Sequence, residues 1–480
     1  MFKAGAGGTL TKNLYLRLRP HVERAALWLP TVPPIAEQDK RGVGGWAVSV
    51  KVPSADEVPK DPFCDPDHPL EVTFQEVSAA AFRIRDSLMR TPCTRSDMLS
   101  KMLGMEIYFK KEFMHVTGSF KERGIRNTLL KLTPEQRKRG TITASAGNHA
   151  LALSYHGDKL HIPVTVVMPI ISPLMKISRC RQYNANIIVQ GANINESPRH
   201  FRYDHPDVIA GNGTAGLEII EQVPDVDAVL VPIGGAGLIA GVGCAIKYVC
   251  PSTQVIGVEG ESCPSFTKAM QSGKPEFATI NPTLADGLSV PLIGYNAYKT
   301  AKKFVDKVVT VGESEIALAI LRLVEIEKAV VEGAGAVGLA ALIGNHLPEL
   351  KGKKVVVLLC GANIDTAILG RCLERGLAED GRLINFQITV SDRPGGTAEI
   401  THLLMKSGVS IRDIFHERAF LKSDVFSVRV SSAAAILNIQ NSKDVFLSLI
   451  LQVALLYHIP RYGRMGSGSC IFDAPLSYFT

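Results

Sequence analysis

Between Leu70 and about Gly376 the apolar positions fall into two alternating kinds of run. Short blocks such as TVVMP (165–169), NIIVQ (186–190), DAVLVPIGG (227–235), VIGVEG (255–260) and KKVVVLLCG (353–361) are continuous, as expected of strands buried on both faces. Helical stretches separate them, so the pattern predicts an α/β fold with a mainly parallel sheet and right-handed crossovers. Before Pro69 no period survives: TVPPIAEQDKRGVGGW and PKDPFCDPDHP are broken by Pro and Gly, and residues 1–69 are read as a leader, disordered and outside the fold. After Arg382 come LINFQITV (383–390), the break DRPGG, the helix-like TAEITHLLMKSG, and then VSIRDIFHERAF and DVFSVRV. This order predicts strand, helix, strand, strand over 383–430, a small α+β module, and leaves 431–480 as a divergent tail. No repeat of 20–50 residues is present, which removes solenoids.

Composition narrows the class. A chain of 480 residues exceeds one ordinary domain of roughly 100–200 residues, and 46% apolar with 21% charged residues is the profile of a soluble α/β enzyme. The net charge of +7 is spread along the chain without a basic patch, so no nucleic-acid partner is expected. Nine scattered cysteines, never spaced C-x-x-C, argue against a disulfide framework or a structural zinc site and for a reducing, cytoplasmic setting. The apolar stretch Val445–Ile459 contains Gln452 and is short of the ~20 residues of a bilayer span. No membrane association is expected. Lys3, Lys12, Arg17 and Arg19 precede the first acid, Glu23, so a mitochondrial presequence is the alternative to a cytoplasmic leader.

Candidate chemistry sits where a doubly wound sheet presents ligands, at the carboxyl ends of strands. GGAGLIAG (234–241) follows DAVLVPI and opens an apolar helical stretch; small residues there let backbone N–H groups converge on an anion at a helix amino end. The same segment resembles a degenerate dinucleotide fingerprint, and GAGAVG (333–338) matches G-x-G-x-x-G outright. These loops alone leave nucleotide binding, another phosphate and tight packing open.

VTGSFKERGIRN (116–127) decides among them. Its GSFKERG, followed by Arg126 and Asn127, resembles the cofactor-lysine motif of fold-type II (tryptophan synthase β-like) pyridoxal 5'-phosphate (PLP) enzymes, specifically the threonine/serine dehydratase family. TASAGNHAL (143–151), the loop 234–238, TLADGLSV (283–290), VVEGAGAVGLAAL (330–342) and VLLCGANID (357–365) follow in the family's order. The resemblance covers about residues 70–376 and assigns the glycine loops to the phosphate of PLP. One departure is Ala236, where the family's tetraglycine has its third glycine.

The resemblance implies a role for each residue. Lys121 would carry PLP as a Schiff base and remove the α proton, which requires a lowered pKa. Phe120 would lie against the pyridine ring, and Asn148 would bond its ring hydroxyl. Ser145, Gly147 and His149 would frame the substrate carboxylate. Gly234, Gly235, Ala236, Gly237 and Leu238 would hold the phosphate. Cys360 matches the position facing the pyridine nitrogen; a neutral partner there weakens the ring as an electron sink and favours prompt loss of a β-hydroxyl. The implied reaction is β-elimination from a small amino acid, L-threonine or L-serine, to 2-oxobutanoate or pyruvate plus ammonia. Ala146 replaces the serine that a serine racemase would use as opposite-face proton donor. Ser265 stands where a racemase-type metal site would place a second acid beyond Glu259, so no metal is expected. A silent amino-acid sensor of the same fold is the remaining alternative. QITVSDRPGGTAEITHLL resembles the opening of an ACT-type ligand-binding domain, and the resemblance implies a homo-oligomer, dimer or tetramer.

Overall fold

The computed structural model describes residues 62–170, 172, 174–190, 203–406, 408–418, 427–436, 462–465 and 469–473. The leader 1–61 lies outside the described residues. Residues 62–69, however, belong to the fold, contrary to the expectation above. Asn296 Nδ2 donates to the Phe63 carbonyl at 2.6 Å, Lys299 Nζ to the Pro69 carbonyl at 2.8 Å, and Cys64 is buried. Polar anchors on a distant helix hold this segment, and such anchors leave no period in the segment itself.

In chain order the helices are α1 (Phe74–Ile84), α2 (Asp97–Leu103), α3 (Lys121–Lys131), α4 (Pro134–Arg139), α5 (Asn148–Lys159), α6 (Leu174–Gln182) and α7 (Pro206–Gln222). They continue with α8 (Gly237–Val249), α9 (Ser265–Ser272), α10 (Tyr295–Ala301), α11 (Glu313–Glu325), α12 (Gly333–Ile343), α13 (Thr366–Glu379) and α14 (Gly396–Lys406).

A six-stranded sheet forms the larger lobe. Its strands are β1 (Cys93–Arg95), β2 (Glu106–Lys110), β6 (Ala228–Pro232), β7 (Gln254–Gly260), β8 (Lys307–Val311) and β9 (Lys354–Leu358), in the order β1-β2-β9-β6-β7-β8. Only the edge pair β1–β2 is antiparallel. Every residue of β6 is buried, and its side chains alternate: Val229 and Val231 join one apolar cluster, Ala228 and Leu230 the other. The two clusters cover the two faces of the sheet, which is why the sequence blocks are continuous. The smaller lobe is a parallel sheet of β3 (Thr141–Ala144), β4 (Val164–Met168) and β5 (Asn186–Val189). Its core takes Ile125 and Leu129 from α3, Leu151 and Leu153 from α5, and Ile177 from α6.

Helices α7 and α8 pack backbone to backbone. A Cβ on Gly241 would stand 2.2 Å from the Ile209 carbonyl, and one on Gly213 2.7 Å from the Gly241 carbonyl. The glycines of AGNGTAG thus bring α8, and the loop that opens it, to a fixed place.

Helix α13 runs to Glu379, a few residues past the boundary expected at 376. Beyond it, β10 (Leu383–Ser391), α14, β11 (Val409–Glu417) and β12 (Ser427–Ile436) follow the strand, helix, strand, strand order. The tail joins the same sheet: β13 (Tyr462–Met465) and β14 (Ser469–Asp473) form a hairpin, with β14 parallel to β10, giving the order β11-β12-β10-β14-β13. Edge pairing is a main-chain matter, so this addition left little trace in the apolar pattern.

Candidate active site

The lysine turn is fixed by main-chain bonds to the segment that follows β9. Phe120 N–H donates to the Cys360 carbonyl at 3.1 Å, Ala362 N–H to the Gly118 carbonyl at 3.0 Å, and Ser119 bridges Gly361. Gly118 takes a φ of +75°, and a side chain there would strike Asn363. From this turn Lys121 opens α3, half-buried, with Nζ 4.6 Å from the centre of the Phe120 ring. Burial lowers the Lys121 pKa to about 8, against the opposing pull of Cys360 and Glu332.

Below the turn lies a charge network that the sequence did not announce. Arg123, 1% exposed, makes two 2.7 Å bonds to Glu112 and two of 2.7 and 2.8 Å to Glu218; Lys110 Nζ also reaches Glu218 at 2.5 Å. These bonds tie α3 to α7 and β2 with paired charges, the arrangement that makes buried ions tolerable.

The loop 145–149 leads from β3 into α5. Gly147 N–H donates to Ser145 Oγ at 3.3 Å. Asn148 and His149 occupy the first turn of α5, half-buried. The Asn148 amide is oriented from both ends: Nδ2 donates to Glu332 Oε1 at 2.6 Å, and Oδ1 accepts from Asn363 Nδ2 at 2.9 Å. Asn363 also donates to the Thr117 carbonyl at 2.8 Å and accepts from Arg179 of α6 at 3.0 Å. Lysine turn, loop 145–149 and α6 therefore meet at one asparagine. Glu332, 6% exposed at the start of α12, has its pKa pushed up to about 7 by burial, reinforced by Asp286 and opposed by the Asn148 bond.

The loop 234–238 leaves β6, the strand next to β9. Ala236 caps α8 with φ +65° and ψ −3°, a left-handed conformation that glycine adopts without strain and alanine does not. Gly235 lies under the Tyr203 ring, where a Cβ would come within 2.5 Å of two ring carbons, and a Cβ on Gly234 would stand 3.2 Å from Leu288 of the 286–288 turn. Gly237 and Leu238 begin α8, with their N–H groups at its positive end. Only hydrogen can occupy Cα at these glycines, leaving the amides accessible to an anion.

Cys360 is 4% exposed among Val356 and Leu358 of the sheet, with Sγ 3.8 Å from the Leu358 carbonyl. Burial, reinforced by Glu112 and Glu332, pushes its thiol well above the usual range, so it is neutral. Glu259 is a helix cap rather than a free acid: its carboxylate accepts from Phe266 N–H, Thr267 N–H and Thr267 Oγ1 at 2.7, 2.8 and 2.7 Å.

A lysine of lowered pKa, a side-chain-free amide loop on a helix amino end, an oriented asparagine amide and a neutral thiol converge at the carboxyl ends of β6 and β9, and each suits one part of PLP. Sequence reasoning had Lys121, the loops and Cys360; it did not single out Asn363, Tyr203, Arg179 or the acid at 122. Asn363 and Glu122 carried a signal, standing in VLLCGANID and GSFKERG.

Residues 84–361 match the model of a family described as pyridoxal-phosphate dependent enzyme. The L-threonine ammonia-lyase of Thermotoga maritima is 41% identical over 361 residues, 72% of this chain and 90% of that protein. Among solved structures, the processed threonine deaminase isoform 2 of Solanum lycopersicum aligns with a TM-score of 0.60 and 30% identity over 66% of this chain and 99% of that one. Maize serine racemase gives 0.60 and 30% over 64% and 98%.

Proposed function

The chain belongs to the pyridoxal-phosphate-dependent enzyme family, and from that membership we propose that it removes water and then ammonia from L-threonine or L-serine. The products are 2-oxobutanoate or pyruvate. Identity of 41% to a threonine ammonia-lyase across 90% of that enzyme carries the reading. When bound, PLP supplies an aldehyde that joins an amino group and a ring that draws electrons from the α carbon.

The chain's own residues do the rest. Lys121 would hold the aldehyde carbon and, once the substrate amine displaces it, would be a free amine whose pKa of about 8 leaves a neutral fraction near neutral pH to accept the α proton. Asn148, its amide set by Glu332 and Asn363, has a second Nδ2 hydrogen for the ring hydroxyl. Ser145, Gly147 and His149 bind the substrate carboxylate and so orient the α C–H bond. The amides of 234–238 would hold the phosphate, Phe120 would support the ring, and the neutral Cys360 thiol would face the ring nitrogen.

Racemisation is the second reading, since a serine racemase aligns as well as a threonine deaminase does. Ala146 speaks against it by lacking a hydroxyl on the opposite face. The test is to incubate the protein with PLP and each amino acid, and to follow ammonia, 2-oxo acid and D-serine. Ammonia and 2-oxo acid should dominate, and Lys121→Ala should abolish both these products and borohydride trapping of the cofactor. D-serine as the main product, or trapping that survives Lys121→Ala, refutes the assignment.

The catalytic domain spans 70–376 in this reading. The protein works in the cytoplasm as a homo-oligomer, dimer or tetramer, which light scattering would count. Among the described residues no helix is long and apolar enough to cross a membrane. Residues 383–430 serve as an effector-binding or packing module, and calorimetric titration with free amino acids separates the two.

A further inference from the structure

The residue after Lys121 is an acid without a part in the chemistry above. Glu122 is 1% exposed, and His156 of α5 is 2% exposed. One carboxylate oxygen lies 3.0 Å from His156 Nε2, and the other accepts from the Thr117 backbone N–H. A carboxylate can only accept, so Nε2 carries the proton and Nδ1 keeps a bare lone pair; that atom is buried without a hydrogen-bond partner. Burial pushes the Glu122 carboxyl up, but the bonds from His156 and Thr117 outweigh it and hold the group below the usual range, while burial lowers His156. The pair is a carboxylate and a neutral imidazole. His115, Arg126 and Tyr155 are the other titratable groups facing it.

Thr117 opens the turn that presents Lys121, and His156 lies along α5 from the loop 145–149. The carboxylate therefore joins the turn bearing the lysine to the helix bearing the substrate loop. We propose that Glu122 and His156 form a buried strut, a pair of positioning residues that sets Lys121 against Asn148 and Ser145; the proposal rests on the role given to Lys121 above. Neither touches reacting atoms. They act through the placement of the lysine, and a small misplacement of a reacting group is expensive in rate.

Substitutions separate the strut from mere packing. Glu122→Gln keeps an acceptor for Thr117 but turns a donor toward His156, forcing the imidazole proton onto Nδ1, where no acceptor waits. The kcat for L-threonine should fall about 10- to 100-fold, with KM within about threefold of the parent, and the pH midpoint of the visible absorbance of the lysine-bound cofactor should shift. The double variant Glu122→Gln/His156→Gln restores a donor facing an acceptor and should recover about tenfold of the loss. If Glu122→Gln does not fold, His156→Leu, which removes the donor alone, should show the same fall in kcat and the same shift in midpoint. A folded Glu122→Gln or His156→Leu with parental kcat and midpoint overturns the strut, as does a double variant no better than the single. Should the parent bind PLP on Lys121 yet release no ammonia, the activity reading fails, and the absorbance midpoint alone decides the strut.

Discussion

Replacing Glu332 by Gln probes the electrostatics of the site without deleting a side chain. Glu332 is 6% exposed, and its carboxyl is raised from 4.5 to about 7, chiefly by burial. Below pH 4.5 the group is protonated in both folded and unfolded chains and has no effect on stability. Above that value the unfolded chain ionises first, so folding loses free energy until the folded carboxyl also ionises near pH 7. At 1.36 kcal/mol per pH unit the full loss is about 3 kcal/mol, of which roughly 2.5 falls between pH 5 and 8. Glutamine offers Asn148 Nδ2 the same acceptor at the same reach and does not titrate. Any fixed cost of seating the amide shifts both ends of the pH range equally, so the quantity to read is the change with pH. Urea unfolding of the cofactor-free parent and Glu332→Gln should show the variant gaining about 2 to 3 kcal/mol on the parent from pH 5 to pH 8. Parallel curves for the two proteins would mean that Glu332 already ionises at its ordinary pKa, and the account of a buried acid beside Asn148 would be wrong.

Two further substitutions test the loop 234–238, proposed to hold the phosphate, and its support. Ala236→Gly relieves a left-handed alanine but frees the unfolded chain, so stability should rise by up to about 1 kcal/mol; a thermal-melt loss larger than that would contradict the φ of +65°. Gly241→Ala drives a methyl into the Ile209 carbonyl at 2.2 Å, should cost about 3 kcal/mol, and should weaken PLP uptake measured by absorbance, because α8 carries the loop; unchanged uptake and stability would rule out the close α7–α8 contact.

What the sequence could tell depended on whether the determinant was local. Continuous apolar blocks announced β6 and β9 as buried parallel strands because both faces of the sheet are covered, and small residues at 234–237 announced a close-packed turn at a helix amino end because the requirement is local space for backbone. Lys121 was legible through its turn. The pairings that orient these groups were not: Asn363 with Asn148, Glu332 with Asn148, and Glu122 with His156 join residues far apart in the chain, and a carboxylate buried against a partner looks in sequence like any solvated acid. The docking of residues 62–69 escaped for the same reason, since Asn296 and Lys299 hold their carbonyls from more than two hundred residues away. The addition of β13 and β14 to the terminal sheet rests on main-chain pairing, which composition does not reveal.

Cys360 is where, in the function proposed above, one side chain would bear on the choice of reaction. Its thiol is neutral, because burial and the carboxylates of Glu112 and Glu332 all oppose a thiolate while Lys121 alone favours one. If it faces the ring nitrogen as proposed, a neutral partner would not fix a proton there, and the ring would be a weaker electron sink, which would favour loss of the β-hydroxyl. Cys360→Ser keeps a neutral group of similar reach and should retain elimination. Cys360→Asp meets the same two carboxylates. If the new acid ionised, it would secure a ring proton and favour retention of the amino group; if it stayed protonated, it would place a further polar group in a buried site where the Leu358 carbonyl lies 3.8 Å from Sγ. Elimination falls in both cases, and they separate spectroscopically, since only the first changes the visible spectrum of the protein with substrate. The measurement is 2-oxo acid formation for both variants after PLP occupancy has been matched to the parent. An aspartate variant with full occupancy, parental turnover and an unchanged spectrum would show that Cys360 serves the core with Val356 and Leu358 and has no bearing on the ring nitrogen.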